Sequence, residues 1–294
     1  LDADGLNIDP IAVWAAAMRN EKPGGHGERA GAVGLLDTAI WDLVAKLDDK
    51  PLWRVLAELY GDGRGPADNQ VPTYGSGGHY HPGGGAAALA DELRGMRDLG
   101  YTRLKIKAGG APIDEDRRRI EAALEVVGDG AKLAIDLNGT FDEARAVTFL
   151  EAVEPYSMAW IEEVVDPLDF ELQNKVCQIY DRPVGTGENL ASLADATNLV
   201  RYAGLRSDRD LLQFDVALAY GLVEYLRILA MLESKGWSRA RCFPHAGHLL
   251  SLHAVAGLGL GSHESAPDDS KIFGGYPSGC VVEDGRVSLP DAPG

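Results

Sequence analysis

Residues 132–138 (KLAIDLN), 159–163 (AWIEE) and 183–188 (PVGTGE) are three short apolar runs, each carrying an acid at or near its end. Asp136, Glu162 and Glu188 therefore recur at a constant interval of 26 residues. A strand followed by a crossover helix takes about 30 residues, so the interval fits one repeat of a parallel α/β unit. Three carboxylates would then stand at one level on three successive strands. In a (β/α)8 barrel the strand C-termini are where the active site is built. For any single acid, a solvated loop carboxylate is the plain alternative; the shared position at strand ends is what argues against it.

Working outward, strands and helices alternate from Val71 onward. Strands are predicted at 71–74, 103–107, 132–138, 159–163, 183–188, 211–215, 241–245 and roughly 258–262. Helices are predicted between them, the clearest at 114–127, where Pro112 and Asp114 mark the start and Gly128 the stop. Seven or eight such units favour a closed barrel over an open doubly wound sheet, and no G-x-G-x-x-G follows the first strand. Before residue 61 the pattern is helical, over 7–19 and 30–47. Val33, Leu36, Ile40, Leu43 and Val44 form the expected buried stripe of the second helix. The stretch 61–69 (GDGRGPADN) reads as a linker.

Lys105 and Lys107 occupy alternate positions of one strand, opposite Leu104 and Ile106, so both point into the barrel. Buried ammonium groups require anions or a metal site to compensate them. A buried lysine beside another cation also gives up its proton more readily, which suits a base. Asp136 and Asn138 are related by the same alternation. With Glu162 and Glu188 they form an all-oxygen set, the hard-ligand chemistry of Mg²⁺. Asp215 and His245 end the next two strands. A carboxylate there would fix the imidazole tautomer and favour its protonated form. Glu264 could face the same pocket. Histidines at 79, 81, 245 and 248 leave a zinc site as an alternative, although the fourth and fifth strands offer glutamates rather than histidines.

Together, K-x-K (Lys105, Lys107), D-x-N (Asp136, Asn138), W-I-E-E (Glu162), G-E-N (Glu188) and the Asp215–His245 pair resemble the mandelate racemase subgroup of the enolase superfamily. The likeness runs along essentially the whole chain, and 39–56 (AIWDLVAKLDDKPLWRVL) is similar to the capping-domain helix leading into the family's barrel. The resemblance implies a (β/α)7β TIM-like barrel with a partial, mostly helical capping domain. Its parts would be a helical remnant of the cap at 1–68, the barrel at 69–273, and a segment at 274–294 packing back towards the cap. The cap's β-sheet and a mobile loop would precede the chain. The implied cofactor is Mg²⁺ on Asp136, Glu162 and Glu188.

The implied activity is α-proton abstraction and β-hydroxyl elimination on a dicarboxylic hydroxy acid, with D-tartrate giving oxaloacetate and water. Lys107 would be the base, Lys105 would offset charge on the substrate carboxylate, and His245 with Asp215 would be the acid. Lys22, Asn138 and Glu264 would contact substrate. Another acid-sugar dehydratase or a racemase is the alternative, and a non-catalytic binding protein on this fold is a more distant one.

The formal net charge of −17 argues against a nucleic-acid partner, because phosphate binding needs clustered Lys and Arg. Cys177, Cys242 and Cys280 form no C-x-x-C and read as reduced thiols. No run of about 18 apolar residues predicts a membrane span. The expected setting is a cytoplasmic homo-oligomer.

Overall fold

A computed structural model of the chain describes all residues except 3, 23–26, 64–68, 267–275 and 277–279. Three helices come first: α1 (Pro10–Ala17), α2 (Glu28–Leu47) and α3 (Leu52–Tyr60). The alternating region follows as β1 (Gln70–Gly77), α4 (Ala86–Asp98), β2 (Leu104–Lys107), α5 (Ile113–Val127), β3 (Leu133–Asp136), α6 (Glu143–Val153), β4 (Trp160–Glu162) and α7 (Phe170–Ile179). It continues with β5 (Val184–Thr186), α8 (Leu193–Tyr202), β6 (Leu211–Leu212), α9 (Leu222–Ser234), α10 (Leu249–Leu258) and β7 (His263–Ser265). A hairpin, β8 (Val282–Glu283) and β9 (Arg286–Ser288), comes last.

Strands β1 to β6 pair in parallel in chain order, and β7 pairs with β1 from its other side. The ring is not closed by a continuous ladder. Between β6 and β7 runs the segment after Arg241, joined to β6 by the Leu212–Cys242 bridge. There Phe243 N donates to Leu212 O at 2.9 Å, and Gly261 N donates to Cys242 O at 3.0 Å. The strand expected at 241–245 is thus a single bridge, cut short by a 3-10 turn before it and by Pro244, which has no N–H to donate. The strand expected at 258–262 is also displaced. Its apolar approach is the helix α10, buried at every position from Ser251 to Leu258, and Gly259 (φ 65°) ends it. The apolar run continues past that glycine to Leu260, and the strand itself begins only at His263.

Alternation along the strands builds two layers inside and outside the sheet. Leu104, Ile106, Leu133, Ile135, Ile161 and Val184 join the core shared with α4–α7. Tyr74, Ala134, Trp160, Leu211 and Phe243 form a separate cluster in the interior. Its rings meet edge to face, with Tyr74–Trp160 centroids 5.1 Å apart and Trp160–Phe243 centroids 5.7 Å apart. Two residues further along the same segments stand Asp136, Glu162 and His245. The polar level therefore rests on an aromatic plug.

The helix α2 buries Ala30, Val33, Gly34, Asp37, Trp41, Val44 and Ala45, a face rotated from the expected stripe. Leu36 and Leu43 are exposed (47% and 40%). One steric and one polar contact go with this rotation. Gly34 lies so close to the Tyr220 backbone that a Cβ would come within 2.5 Å of it, and Asp37 accepts the N–H of Val223 in the first turn of α9 at 3.0 Å. Burial pushes the Asp37 carboxyl up to about 6, against its hydrogen bonds.

The helix α3 packs on α10 at Gly257, where a Cβ would sit 2.5 Å from Leu56 Cβ and 2.6 Å from Trp53 O. Alanine is the better helix former by about 1 kcal/mol, but here the contact opposes it. Gly257→Ala is expected to destabilise the protein by about 1–3 kcal/mol. Chemical denaturation measures this, and an unchanged or raised midpoint contradicts the packing described.

The C-terminus returns to α3. Gly294 O accepts Leu52 N at 2.9 Å, Pro290 O accepts Trp53 Nε1 at 2.9 Å, and β9 pairs antiparallel with β1. The boundaries expected at 68 and 273, and most of the 61–69 linker, lie outside the described residues. No helix among the described residues is long and apolar enough to cross a membrane.

Candidate active site

Register places the acids. Lys107 pairs with Asp136, Asp136 with Glu162, and Glu162 with Gly185, so β2 to β5 end at one level. Glu188 follows Gly187, whose φ of 115° is a conformation side chains resist, and this turn returns its carboxylate to the group. One carboxylate oxygen from each of Asp136, Glu162 and Glu188 lies within 4.8 Å of the others.

The two lysines lie against these acids. Lys105 is 1% exposed; its Nζ bonds Glu162, lies 2.9 Å from Glu264 Oε1 and 3.8 Å from Asp136 Oδ2. Lys107 Nζ bonds Asp136 and is more open, at 20% side-chain exposure. Glu162 Oε2 also accepts Trp160 Nε1 at 2.9 Å and Gln213 Nε2 at 2.6 Å. Burial pushes Glu162 up to about 8 although Lys105 opposes it, and the charges of Asp136, Glu264 and Glu188 add to the rise. Burial likewise raises Glu188, against the pull of His245. For Glu264 burial is outweighed by Lys105 and His245, which bring it down to about 2. Burial disfavours the Lys105 ammonium, yet Glu162 and Glu264 overcome it and hold it well above the ordinary lysine range. Lys105 is thus paired with two buried carboxylates, Glu162 and Glu264.

On the other side of the cluster, His245 Nδ1 lies 3.1 Å from Asp215 Oδ2, and its Nε2 lies 3.6 Å from Glu188 Oε2. Burial disfavours the imidazolium, but the Asp215 bond and the charges of Glu264 and Glu188 win and raise His245 to about 9. Burial would raise Asp215, but donation from His245 and His248 holds it far below the usual carboxylate range.

Most of the residues singled out in the sequence meet here: Lys105, Lys107, Asp136, Glu162, Glu188, Asp215, His245 and Glu264. Asn138 does not enter the interior by strand alternation. The strand stops at Asp136 and Asn138 is exposed with φ 50°, so it sits at the rim, donating its backbone N–H to Asp136 Oδ1 at 2.9 Å and its Nδ2 to Asp136 Oδ2 at 3.4 Å. There it lines a depression of about 420 Å³ with Lys107, His79, Thr140 and Arg145. Lys22 is exposed and lines a different cavity, of about 670 Å³, between α1, α2, α8 and α9; none of the residues of the acid cluster lines it. The 20–28 stretch next to it is described only in part. The four histidines considered for zinc form no metal cluster among the described residues; His245 and His248 both turn to Asp215 instead.

Sequence reading missed Glu163, Gln213 and Trp160, and used His248 only as a zinc candidate. Glu163 is fully buried at φ 44°, accepts Thr186 Oγ1 at 2.7 Å and Gly187 N at 2.9 Å, and so braces the turn carrying Glu188. Burial raises it to about 7 in spite of those bonds. Gln213 and Trp160 could have been found by the alternation that found the lysines, since each lies two residues before a residue already chosen.

The donor set fits a hard divalent ion. All three ligand candidates are carboxylates, and the buried Oε2 of Glu188 has no hydrogen-bond partner among the described residues. Residues 88–294 match the model of one protein family, described as enolase C-terminal domain-like. The chain belongs to that family.

Two relatives and one solved structure define its place among enolase-like proteins. The L-talarate/galactarate dehydratase of Salmonella typhimurium is 29% identical over 267 residues, covering 88% of this chain. The chain spans only 61% of that relative's length. A 3,6-anhydro-alpha-L-galactonate cycloisomerase of Streptomyces coelicolor is 28% identical over 308 aligned positions, covering all of this chain and 76% of its own. The L-talarate dehydratase of Polaromonas sp. JS666, complexed with Mg and L-glucarate, superposes with a TM-score of 0.81 at 26% identity, covering 98% of this chain and 76% of that one. The enolase-like barrel thus has a magnesium-bearing neighbour and its own acid triad capable of holding a metal.

Proposed function

We propose that this chain carries the catalytic barrel of a Mg²⁺-dependent lyase that dehydrates a dicarboxylic hydroxy acid. One observation carries the reading. Lys107 and His245 flank a single acid cluster, Lys107 against Asp136 and His245 against Glu188. Talarate, galactarate and glucarate, named for the relatives, are themselves dicarboxylic hydroxy acids, which supports the class. D-tartrate, losing water to give oxaloacetate, is the finer reading and rests on the motifs of the sequence.

Asp136, Glu162 and Glu188 would hold Mg²⁺, which supplies Lewis-acid stabilisation of charge on the substrate carboxylate. Lys107 Nζ takes the proton from the carbon next to that carboxylate. Lys105 keeps positive charge below the cluster throughout. The imidazolium of His245, held by Asp215, gives its Nε2 proton to the β-hydroxyl, which leaves as water. The resulting enol tautomerises to the keto acid. Glu264 pins Lys105, and Asn138 lies at the rim on the Lys107 side. Lys22, which lines the separate cavity between α1, α2, α8 and α9, is given no part in this step.

The purified protein with Mg²⁺ should release a keto acid from one member of a panel of tartrates, aldarates and aldonates. Keto acid from acid sugars but not from D-tartrate removes the finer reading. Neither keto acid nor α-hydrogen exchange from any member overturns the class. A racemase or cycloisomerase on the same residues would conserve all atoms of the substrate, which mass measurement separates.

Glu188→Gln tests the metal assignment. Changing groups that merely support metal ligands costs about 10–100-fold in affinity, so removing a ligand charge should cost at least that much in calorimetric titration with Mg²⁺. Unchanged Mg²⁺ affinity contradicts the assignment of Glu188.

A further inference from the structure

We propose that His248 is a positioning residue, locking the carboxylate of Asp215 and thereby the ring of His245; this rests on His245 being the proton donor. His248 is the N-cap of α10, with extended backbone (φ −87°, ψ 165°). Its Nδ1 accepts the N–H of Ser251 at 3.0 Å. A ring nitrogen that accepts a hydrogen bond carries no proton, so the ring proton sits on Nε2. That nitrogen lies 3.2 Å from Asp215 Oδ1 and must be the donor. The tautomer is thus dictated by the helix cap.

Asp215 Oδ1 also accepts the N–H groups of Ala217 at 2.7 Å and Leu218 at 3.0 Å. Oδ2 is left for His245 Nδ1 at 3.1 Å. Turning the carboxylate would break all three bonds to Oδ1, so its orientation is fixed and the far nitrogen of His245 is aimed at the acid cluster. The clamp has its own support. Ser251 Oγ donates to His248 O at 2.7 Å and lies 3.0 Å from Nε2 of the fully buried His263, whose Nδ1 is 2.9 Å from the Tyr276 hydroxyl. The H-x-x-H spacing that invites a zinc reading is explained by a carboxylate held between two imidazoles.

His248→Asn separates this role from helix capping. Asparagine is a favoured N-cap and can still accept the Ser251 N–H, but its amide is too short to reach Asp215. The variant is expected to fold normally and lose about 10–100-fold in kcat for keto-acid release, the scale of lost supporting contacts. Exchange of the substrate α-hydrogen in D2O, the work of Lys107, and KM should both hold. Unchanged kcat, or an equal loss of exchange and elimination, overturns the positioning role.

A second measurement needs no substrate. Two-bond 1H–15N spectra of the wild-type histidines should show His248 protonated at Nε2 only. A proton on Nδ1, in either the other tautomer or the imidazolium, overturns the clamp. Should the wild type turn over no acid in the panel, the dehydratase reading fails, and this spectrum still decides what His248 donates.

Discussion

Lys107→Ala is expected to lower kcat by about 10²–10⁴-fold, the usual contribution of a positioned base. Its side chain is the more exposed of the two lysines at the cluster, at 20% against 1% for Lys105. Lys105 cannot substitute for it, because Glu162 and Glu264 hold that ammonium protonated against the cost of burial. The variant should bind Mg²⁺ at least as tightly as the wild type, since a cation beside Asp136 is removed and no ligand is lost. Steady-state kinetics and Mg²⁺ titration on the same preparation check both halves. Full turnover in Lys107→Ala would remove the base assignment.

Asp215→Asn should weaken the acid instead. His245 stands at about 9, above its ordinary 6.5, so it is protonated through neutral pH and loses its proton as pH rises through about 9. Activity that needs the imidazolium should fall on that alkaline side. Mg²⁺ on Glu188 removes part of the negative field around the ring, so the limb of the loaded enzyme lies at or below that value. Loss of the Asp215 charge should shift it down by about 1–3 units. At pH 8 kcat should drop by up to the 10²–10⁴-fold scale of a lost general acid, while binding persists. The raised value also stabilises the fold, fully below about 6.5 and no longer once pH passes about 9. An unshifted alkaline limb in Asp215→Asn would show that another group sets the protonation of His245.

The barrel and its acids were legible because both follow from period. Apolar side chains alternate with inward polar ones on β2, β3 and β4, and register then carries Lys107, Asp136 and Glu162 to one level. Where the chain leaves the strand, alternation stops informing. Asn138 lies two residues past Asp136 but beyond the strand end, and its left-handed backbone sends it to the rim. The end of α10 was not legible, because the apolar run continues past Gly259 to Leu260 and β7 begins only at His263. Leu36 and Leu43 had the helical spacing of a core stripe, yet Gly34 and Asp37 decide which face of α2 meets the barrel loops. Glu163 was hidden by its neighbour Glu162: adjacent residues on a strand point to opposite sides, and only the positive φ of Glu163 lets it brace the Glu188 turn.

Central to the account is a division of labour: Lys107 breaks the C–H bond at a metal-bearing acid cluster, and His245 releases water. Proton NMR of the best substrate in D2O with His245→Asn and Mg²⁺ tests it most directly. The α-hydrogen signal should disappear by exchange at near wild-type rate without formation of keto acid, and chelating the metal should stop the exchange. Exchange that survives removal of Mg²⁺, or keto-acid release at the wild-type rate, contradicts it.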